Sequence, residues 1–180
     1  MKISLIIVVP FLLTTMTNCG RDLTSKDYLV SFNDTITNRY GYKDTYGIVI
    51  IPPGKYQMCF TDTFRSYAVV ALVNDGIVAI NRQENVMYEV FMFDNGPDEP
   101  SDGLFRIIAN HKIGYADATT GKVVITPQFE CAKPFENGRA EVSYDCKLHP
   151  NGEHSSWQSS SWFSIDKTGK RTEVTPTSRQ

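Results

Sequence analysis

Ile113-Gly-Tyr-Ala-Asp117 … Gly121-Lys-Val-Val-Ile-Thr-Pro127-Gln-Phe129 … Pro134-Phe-Glu-Asn-Gly138-Arg-Ala-Glu-Val142 decides how this chain is built, because worn copies of it lie on both sides. A unit repeated along a sequence points to stacked supersecondary elements, none of which can bury its apolar face alone. Downstream, Phe163-Ser-Ile-Asp166-Lys-Thr-Gly169-Lys-Arg-Thr-Glu-Val-Thr-Pro176 repeats a strand, a turn and a strand ending in proline. Upstream, Asp75-Gly76-Ile-Val-Ala-Ile80 opens a second copy, and Asp102-Gly-Leu-Phe-Arg-Ile107 closes it as Asn137-Gly-Arg-Ala-Glu-Val142 closes the third. The most worn copy reads Tyr46-Gly47-Ile-Val-Ile, then Ile51-Pro-Pro-Gly-Lys-Tyr56, then Phe64-Arg-Ser-Tyr-Ala-Val-Val70.

The periodicity within these copies is that of strands. Arg139-Ala-Glu-Val-Ser-Tyr-Asp145 alternates polar and apolar, with Ala140, Val142 and Tyr144 on one face. Tyr67-Ala-Val-Val-Ala-Leu-Val73 is continuously apolar, as expected of a strand covered on both sides. Asn85-Val-Met-Tyr-Glu-Val-Phe-Met-Phe93 and Leu104-Phe-Arg-Ile-Ile-Ala109 are rich in β-branched and aromatic residues. Turn signals separate them at Pro52-Pro-Gly54, Asn74-Asp-Gly76, Gly121-Lys122 and Asn137-Gly138. No stretch carries the apolar stripe of an amphipathic helix. The expected fold is all-β, with antiparallel hairpin repeats in a curved meander, either open or closed like a barrel.

The repeated residues have a structural reading. Gly114 and Gly76 would permit a bulge or close backbone approach at a strand start. Asp117 and Asp166 precede the Gly121 and Gly169 turns, where aspartate can bond its own backbone and glycine supplies positive φ. Pro127 and Pro176 would end strands, and Phe129 and Phe135 would anchor a core.

The N-terminus reads as an address. Met1-Lys2 precedes an apolar run from Ile3 to Leu13, which is shorter than the roughly 20 residues a membrane span needs. Met16-Thr17-Asn18-Cys19 resembles a bacterial lipoprotein signal, departing from Leu-small-small-Cys at Met16 and Asn18. That resemblance implies removal of residues 1–18 and lipidation of Cys19, with two or more acyl chains giving stable anchoring. Residues 19–40 are polar and rich in Thr and Asn, and read as a tether ending in a first strand near Tyr28 to Phe32. Residues 41–180 form the β domain.

The repeat resembles the WG-repeat (KWG) family of bacterial β-repeat proteins. The shared pattern is Gly-aromatic, then Asp, then Gly-Lys, then Ile-x-Pro-x-aromatic, then Phe-x-x-Gly-x-Ala-x-Val. It is clearest in the third copy. The name-giving tryptophan is missing before Gly114, Gly47 and Gly76, where Ile113, Tyr46 and Asp75 stand. Similar proteins with lipoprotein signals are common in Bacteroidetes. The resemblance implies a repeat module with no catalytic activity to carry over.

Composition bounds the function further. With 20 Asp and Glu against 18 Lys and Arg, and no basic stripe, nucleic acid is excluded as the expected partner. Beyond Cys19, the cysteines are Cys59, Cys131 and Cys146, an odd number in which a bridge and free buried thiols remain equally open. No cofactor is indicated. Phe93-Asp-Asn-Gly-Pro-Asp-Glu-Pro-Ser-Asp-Gly103 gathers Asp94, Asp98, Glu99 and Asp102, the right oxygen ligands for calcium, but not at EF-hand spacing. A rigid turn with solvated charges is the favoured reading there.

Lys147-Leu-His-Pro-Asn-Gly-Glu-His-Ser-Ser-Trp-Gln-Ser-Ser-Ser-Trp162 interrupts the repeat and holds both tryptophans. Insertions in repeat arrays map to loops, often on the binding face. Trp157, His154 and His149 are therefore the candidate partner-binding residues, against the plainer view of Trp162 as core and Trp157 as edge cover. His111, His149 and His154 could in principle serve a hydrolase, but no nucleophile elbow, HExxH or phosphate loop is present. The expectation is a monomeric, non-catalytic binding or scaffold module anchored in the bacterial envelope, with a protein or glycan partner. A purely structural spacer is the alternative.

Overall fold

A computed structural model describes residues 28–151 and 154–172; the signal segment, Cys19 and Pro176 lie outside them. The described residues are all β, without a helix. The first strands are β1 (Leu29–Asp34), β2 (Arg39–Lys43), β3 (Val49–Cys59), β4 (Thr63–Phe64), β5 (Tyr67–Leu72) and β6 (Ile77–Asn81). Next come β7 (Val86–Val90), β8 (Met92–Phe93), β9 (Gly96–Pro97), β10 (Leu104–Ala109), β11 (Lys112–Asp117) and β12 (Val123–Phe129). The last are β13 (Cys131–Ala132), β14 (Arg139–Ser143), β15 (Lys147–Asn151), β16 (His154–Gln158), β17 (Phe163–Asp166) and β18 (Arg171–Thr172). Ten of them form one sheet in the order β12-β11-β10-β7-β6-β5-β3-β2-β1-β4, and β13-β14-β17-β18 form a second. All strand pairs are antiparallel, and the ten-stranded order is open at both ends, so no barrel closes among the described residues.

The sheet begins inside the segment expected to be a tether. Asp34 accepts bonds from the Ile36 N–H (3.1 Å) and the Thr37 hydroxyl (2.6 Å), and Asn38 takes positive φ. This local turn lets polar residues pair Asp34 with Arg39 and Val30 with Lys43, making β1 and β2 a hairpin.

Each unit contains a strand, a connection that is a tight turn in the first three, a second strand, an Asx turn and a third strand. The Asx turn recurs at four sites. The backbone N–H groups of Tyr46 and Ile48 donate to Asp44, those of Gln83 and Asn85 to Asn81, those of Thr119 and Thr120 to Asp117, and those of Thr168 and Lys170 to Asp166. Such local bonds compete well with a continued strand and fix the turn.

Counting back from each Asx residue sets the true register of the copies. Gly41 stands three residues before Asp44, as Gly114 stands three before Asp117. A Cβ on Gly41 would lie 2.4 Å from the Ile51 carbonyl oxygen, and one on Gly114 would lie 2.4 Å from that of Ile125. The first copy is therefore Tyr40-Gly41-Tyr42. Gly47 and Gly76 lie in turns at φ 87° and 76°, with open space around them.

The third strand folds over that glycine through a bulge. Tyr40 pairs with Tyr56 while Tyr42 pairs with Ile51; likewise Ile113 pairs with Phe129 while Tyr115 pairs with Ile125. The extra residues include Pro53 and Pro127, which can forgo a ladder donor there. Pro52-Pro-Gly54 is thus part of the bulge within β3 and makes no reversal, and Pro127 sits within β12, not at its end.

Three apolar clusters result. Leu29, Tyr42, Ile51, Tyr56, Phe64, Ala68 and Val70 form the first. Their counterparts Leu104, Tyr115, Ile125, Phe129, Phe135, Ala140 and Val142 form the last. Between them, Ile77, Ala79, Tyr88, Val90, Phe105, Ile107 and Ala116 form a middle cluster. Hairpins are shared between neighbouring units. Ala68 and Val70 of β5 face the first cluster, while Tyr67, Val69 and Ala71 pack on the middle one. This double coverage accounts for the continuous apolar run of β5.

The Asx turns at Asn81 and Asp117 also close the preceding unit. The Tyr56 hydroxyl donates to Glu84 (3.1 Å), and the Tyr88 and Tyr67 hydroxyls donate to the carbonyls of Gly121 (2.7 Å) and Ala118 (2.6 Å). Within their own units, the Tyr42 and Tyr115 hydroxyls donate to the carbonyls of Thr61 (2.9 Å) and Lys133 (2.7 Å). Buried tyrosines thereby supply large apolar area without an unsatisfied hydroxyl.

Candidate binding cleft

The fourth unit departs from the others where its hairpin turns. Asn110 and His111, both at positive φ, join β10 to β11, and Asn74 to Gly76 join β5 to β6. The equivalent link from β14 to β17 is an excursion over residues 144–162 that contains the β15–β16 hairpin. A disulfide between Cys131 and Cys146, with Cα atoms 5.9 Å apart, clamps the start of this excursion to β13. The other cysteine among the described residues, Cys59, is buried, and burial pushes its thiol up to about 11.

Just before the clamp, Asp145 is ringed by serine hydroxyls. Ser161, Ser159 (2.7 Å), Ser143 (2.9 Å) and Ser160 (3.3 Å) all donate to its carboxylate. The Ser161 bond, then those of Ser159 and Ser143, hold the Asp145 carboxyl well below the usual carboxylate range. Four hydroxyl donors on one carboxylate tie Ser143 to the Ser159–Ser161 stretch and so brace the two ends of the excursion against each other.

Beside this ring lies an open cleft of about 660 Å³, lined by Glu130, Tyr144, Asp145, Cys146, Lys147, His149, Gln158, Ser159 and Ser160. Tyr144 is 56 % exposed, and its ring rests on Phe129 (centroids 5.2 Å apart) and Phe163 (5.3 Å). The alternation that predicts Tyr144 beside Ala140 and Val142 in the core ends with β14 at Ser143, which frees Tyr144 to turn outward.

Of the residues singled out in the sequence, His149 is exposed on the cleft wall. Trp157 is not a free stacking surface. It is half-buried against the last core cluster, edge-on to Phe91 at 5.6 Å. His154 lies in β16, its backbone paired with Asn151; its side chain lies outside the described set. His111 occupies the tight turn between β10 and β11, at φ 61°. Trp162 stands four residues before Asp166, as Ile113 stands four before Asp117, and is followed by Phe163 where the third copy has Gly114. Sequence reasoning missed Tyr144 and Asp145, although the Ser159-Ser-Ser161 run was a visible partner for a carboxylate.

The acidic loop does not gather as a ligand set. Asp98 accepts the Arg106 backbone N–H (2.8 Å) and its Nε (3.0 Å) at one oxygen, and its Nη2 at the other. Asp102 accepts the Gly138 N–H at 2.6 Å, while Asp94 and Glu99 are exposed. Among the described residues, no cluster of three or more His, Cys, Asp or Glu side chains is placed to hold a metal ion.

No curated protein and no solved structure matches the chain. Residues 113–145, which run from the glycine clasp of the third unit through its core phenylalanines to Asp145, match the model of the WG containing repeat.

Proposed function

We propose that this chain is a non-catalytic β-repeat binding module, anchored in the cell envelope through a lipidated Cys19, whose partner docks at the cleft beside the β15–β16 hairpin. One observation carries the reading. Where the other hairpins turn tightly, the fourth opens into a clamped excursion that walls a cleft. A spacer would need only the short turn. Repeat arrays concentrate recognition in such insertions, and a disulfide fits an oxidising compartment outside the cytosol. The similarity of residues 113–145 to the WG containing repeat accords with a module without chemistry of its own.

The experiment is site-specific photo-cross-linking from Glu130, on the cleft wall but outside the excursion, in intact envelopes. A discrete adduct, lost when residues 147–161 are replaced by a short turn, is expected. An envelope phenotype and adduct pattern unchanged by that replacement would leave the structural spacer as the better reading. Cys19→Ser is expected to move the protein from the membrane to the soluble fraction, and its staying on the membrane would refute the anchor.

A further inference from the structure

Resting on the binding reading above, we propose that the cleft's ligand is a neutral, hydroxyl-rich sugar chain, with a sugar ring stacked on Tyr144. Three features of the cleft point there together. Its volume, about 660 Å³, lies in the range of small-ligand sites and accommodates a short run of sugar units. Its single aromatic wall, Tyr144, is braced from behind by Phe129 and Phe163, so the ring is a fixed apolar platform. A pyranose presents one flat C–H face suited to such a platform, and hydroxyls around its rim. Around Tyr144 stand Gln158, His149, Ser159, Ser160 and Glu130, which supply both donors and acceptors for those hydroxyls.

The same lining disfavours other ligands. Glu130 is paired with Lys112 and Lys147 offsets Asp145, so the wall carries no surplus of cations to hold a phosphate or a uronate. A protein partner would be expected to seat an aromatic or aliphatic anchor in a desolvated apolar pocket, whereas this cleft is open, with charged and hydrogen-bonding side chains around its aromatic platform. Trp157, the obvious sugar platform by sequence, is committed to Phe91, so the task falls to Tyr144.

The test is retention of the Cys19→Ser chain, which lacks the proposed lipid anchor, on the insoluble envelope fraction of cells that produce the protein, that fraction being treated beforehand with either protease or periodate. Retention that survives protease and is abolished by periodate is expected. Tyr144→Ala should reduce it by at least about tenfold, while Tyr144→Phe retains it. Gln158→Ala, on the exposed wall, should also weaken retention, and serves if Tyr144→Ala melts early. Retention abolished by protease and indifferent to periodate overturns the sugar and leaves the binding module standing. Sugar-dependent retention indifferent to both Tyr144→Ala and Gln158→Ala overturns this cleft as its site. No retention under any treatment overturns both readings.

Discussion

Asp98 and Arg106 grip each other inside the protein, their side chains only 3 % and 5 % exposed. Asp98 is borne by the loop expected to be solvated, and Arg106 by β10. Arg106 also donates to the Ala132 carbonyl at 3.2 Å and lies over the Phe91 ring at 4.2 Å. The pair thus joins the middle unit's loop to the third unit's β13. Arg106→Ala would leave a buried carboxylate unpaired and is expected to cost about 3–5 kcal/mol in urea unfolding. Joint replacement by Asp98→Leu and Arg106→Met should cost less than the single change. Added calcium should leave the melting temperature of the wild type unchanged.

Gly114 is needed for space and not for φ, and this separates it from the turn glycines. A Cβ there would lie 2.4 Å from the Ile125 carbonyl oxygen and 2.5 Å from the Pro127 nitrogen, both backbone atoms that cannot swing aside. Gly114→Ala is expected to cost about 3 kcal/mol or more. Gly138 has φ 79° but nothing within 4 Å of its missing Cβ. Gly138→Ala should cost only about 1–2 kcal/mol, the left-handed penalty. Denaturant midpoints of the two variants would test the contrast, and equal losses would refute the clasp.

Much of this architecture is legible in the sequence. Strand class, the Asx turns and Phe129 and Phe135 follow from local chemistry, because a turn or an alternating strand is specified by adjacent residues. The copy register is harder. Tyr46-Gly47 and Tyr40-Gly41 look alike, and only the three-residue offset from glycine to aspartate, shared by Gly41 and Gly114, tells them apart. The Asp98–Arg106 pair was hidden for another reason. An acidic loop reads as solvated unless a cation reaches it from a strand, and that depends on how two units stack. The contact of Trp157 with Phe91 is equally beyond local reading, since Phe91 comes from a different unit.

Cys59 and the Cys131–Cys146 bridge should behave differently towards reagents. Burial raises the Cys59 thiol to about 11 from an ordinary value of 9.0, so the native thiol stays neutral at pH 8. Peptide-resolved alkylation at pH 8 is expected to leave Cys59 unlabelled until the protein unfolds, and to label Cys131 and Cys146 only after reduction. Cys146→Ser opens a loop whose ends are 15 residues apart. By loop entropy it should lower stability by about 3 kcal/mol. Labelling of Cys59 in the native state at a rate matching the unfolded chain would contradict its burial.

Asp145 gives the cleft a pH dependence of definite sign. Its serine partners favour the carboxylate, so its folded pKa lies below its ordinary value of 3.8. The stabilisation is complete above that value and is lost as pH falls through the lower folded pKa. Asp117 and Asp166, lowered by their Thr120 and Thr168 partners, act in the same direction at their turns. Melting temperature should therefore hold steady from pH 7 down to about 4 and fall below it. Asp145→Asn should remove part of that fall and leave the share due to the turns. Hydrogen exchange resolves the two contributions, since amides in residues 144–149 and 156–161 should loosen in acid with the wild type and already be loose at pH 7 in Asp145→Asn. If that variant matches the wild type at every pH, the serine ring does not hold the cleft wall.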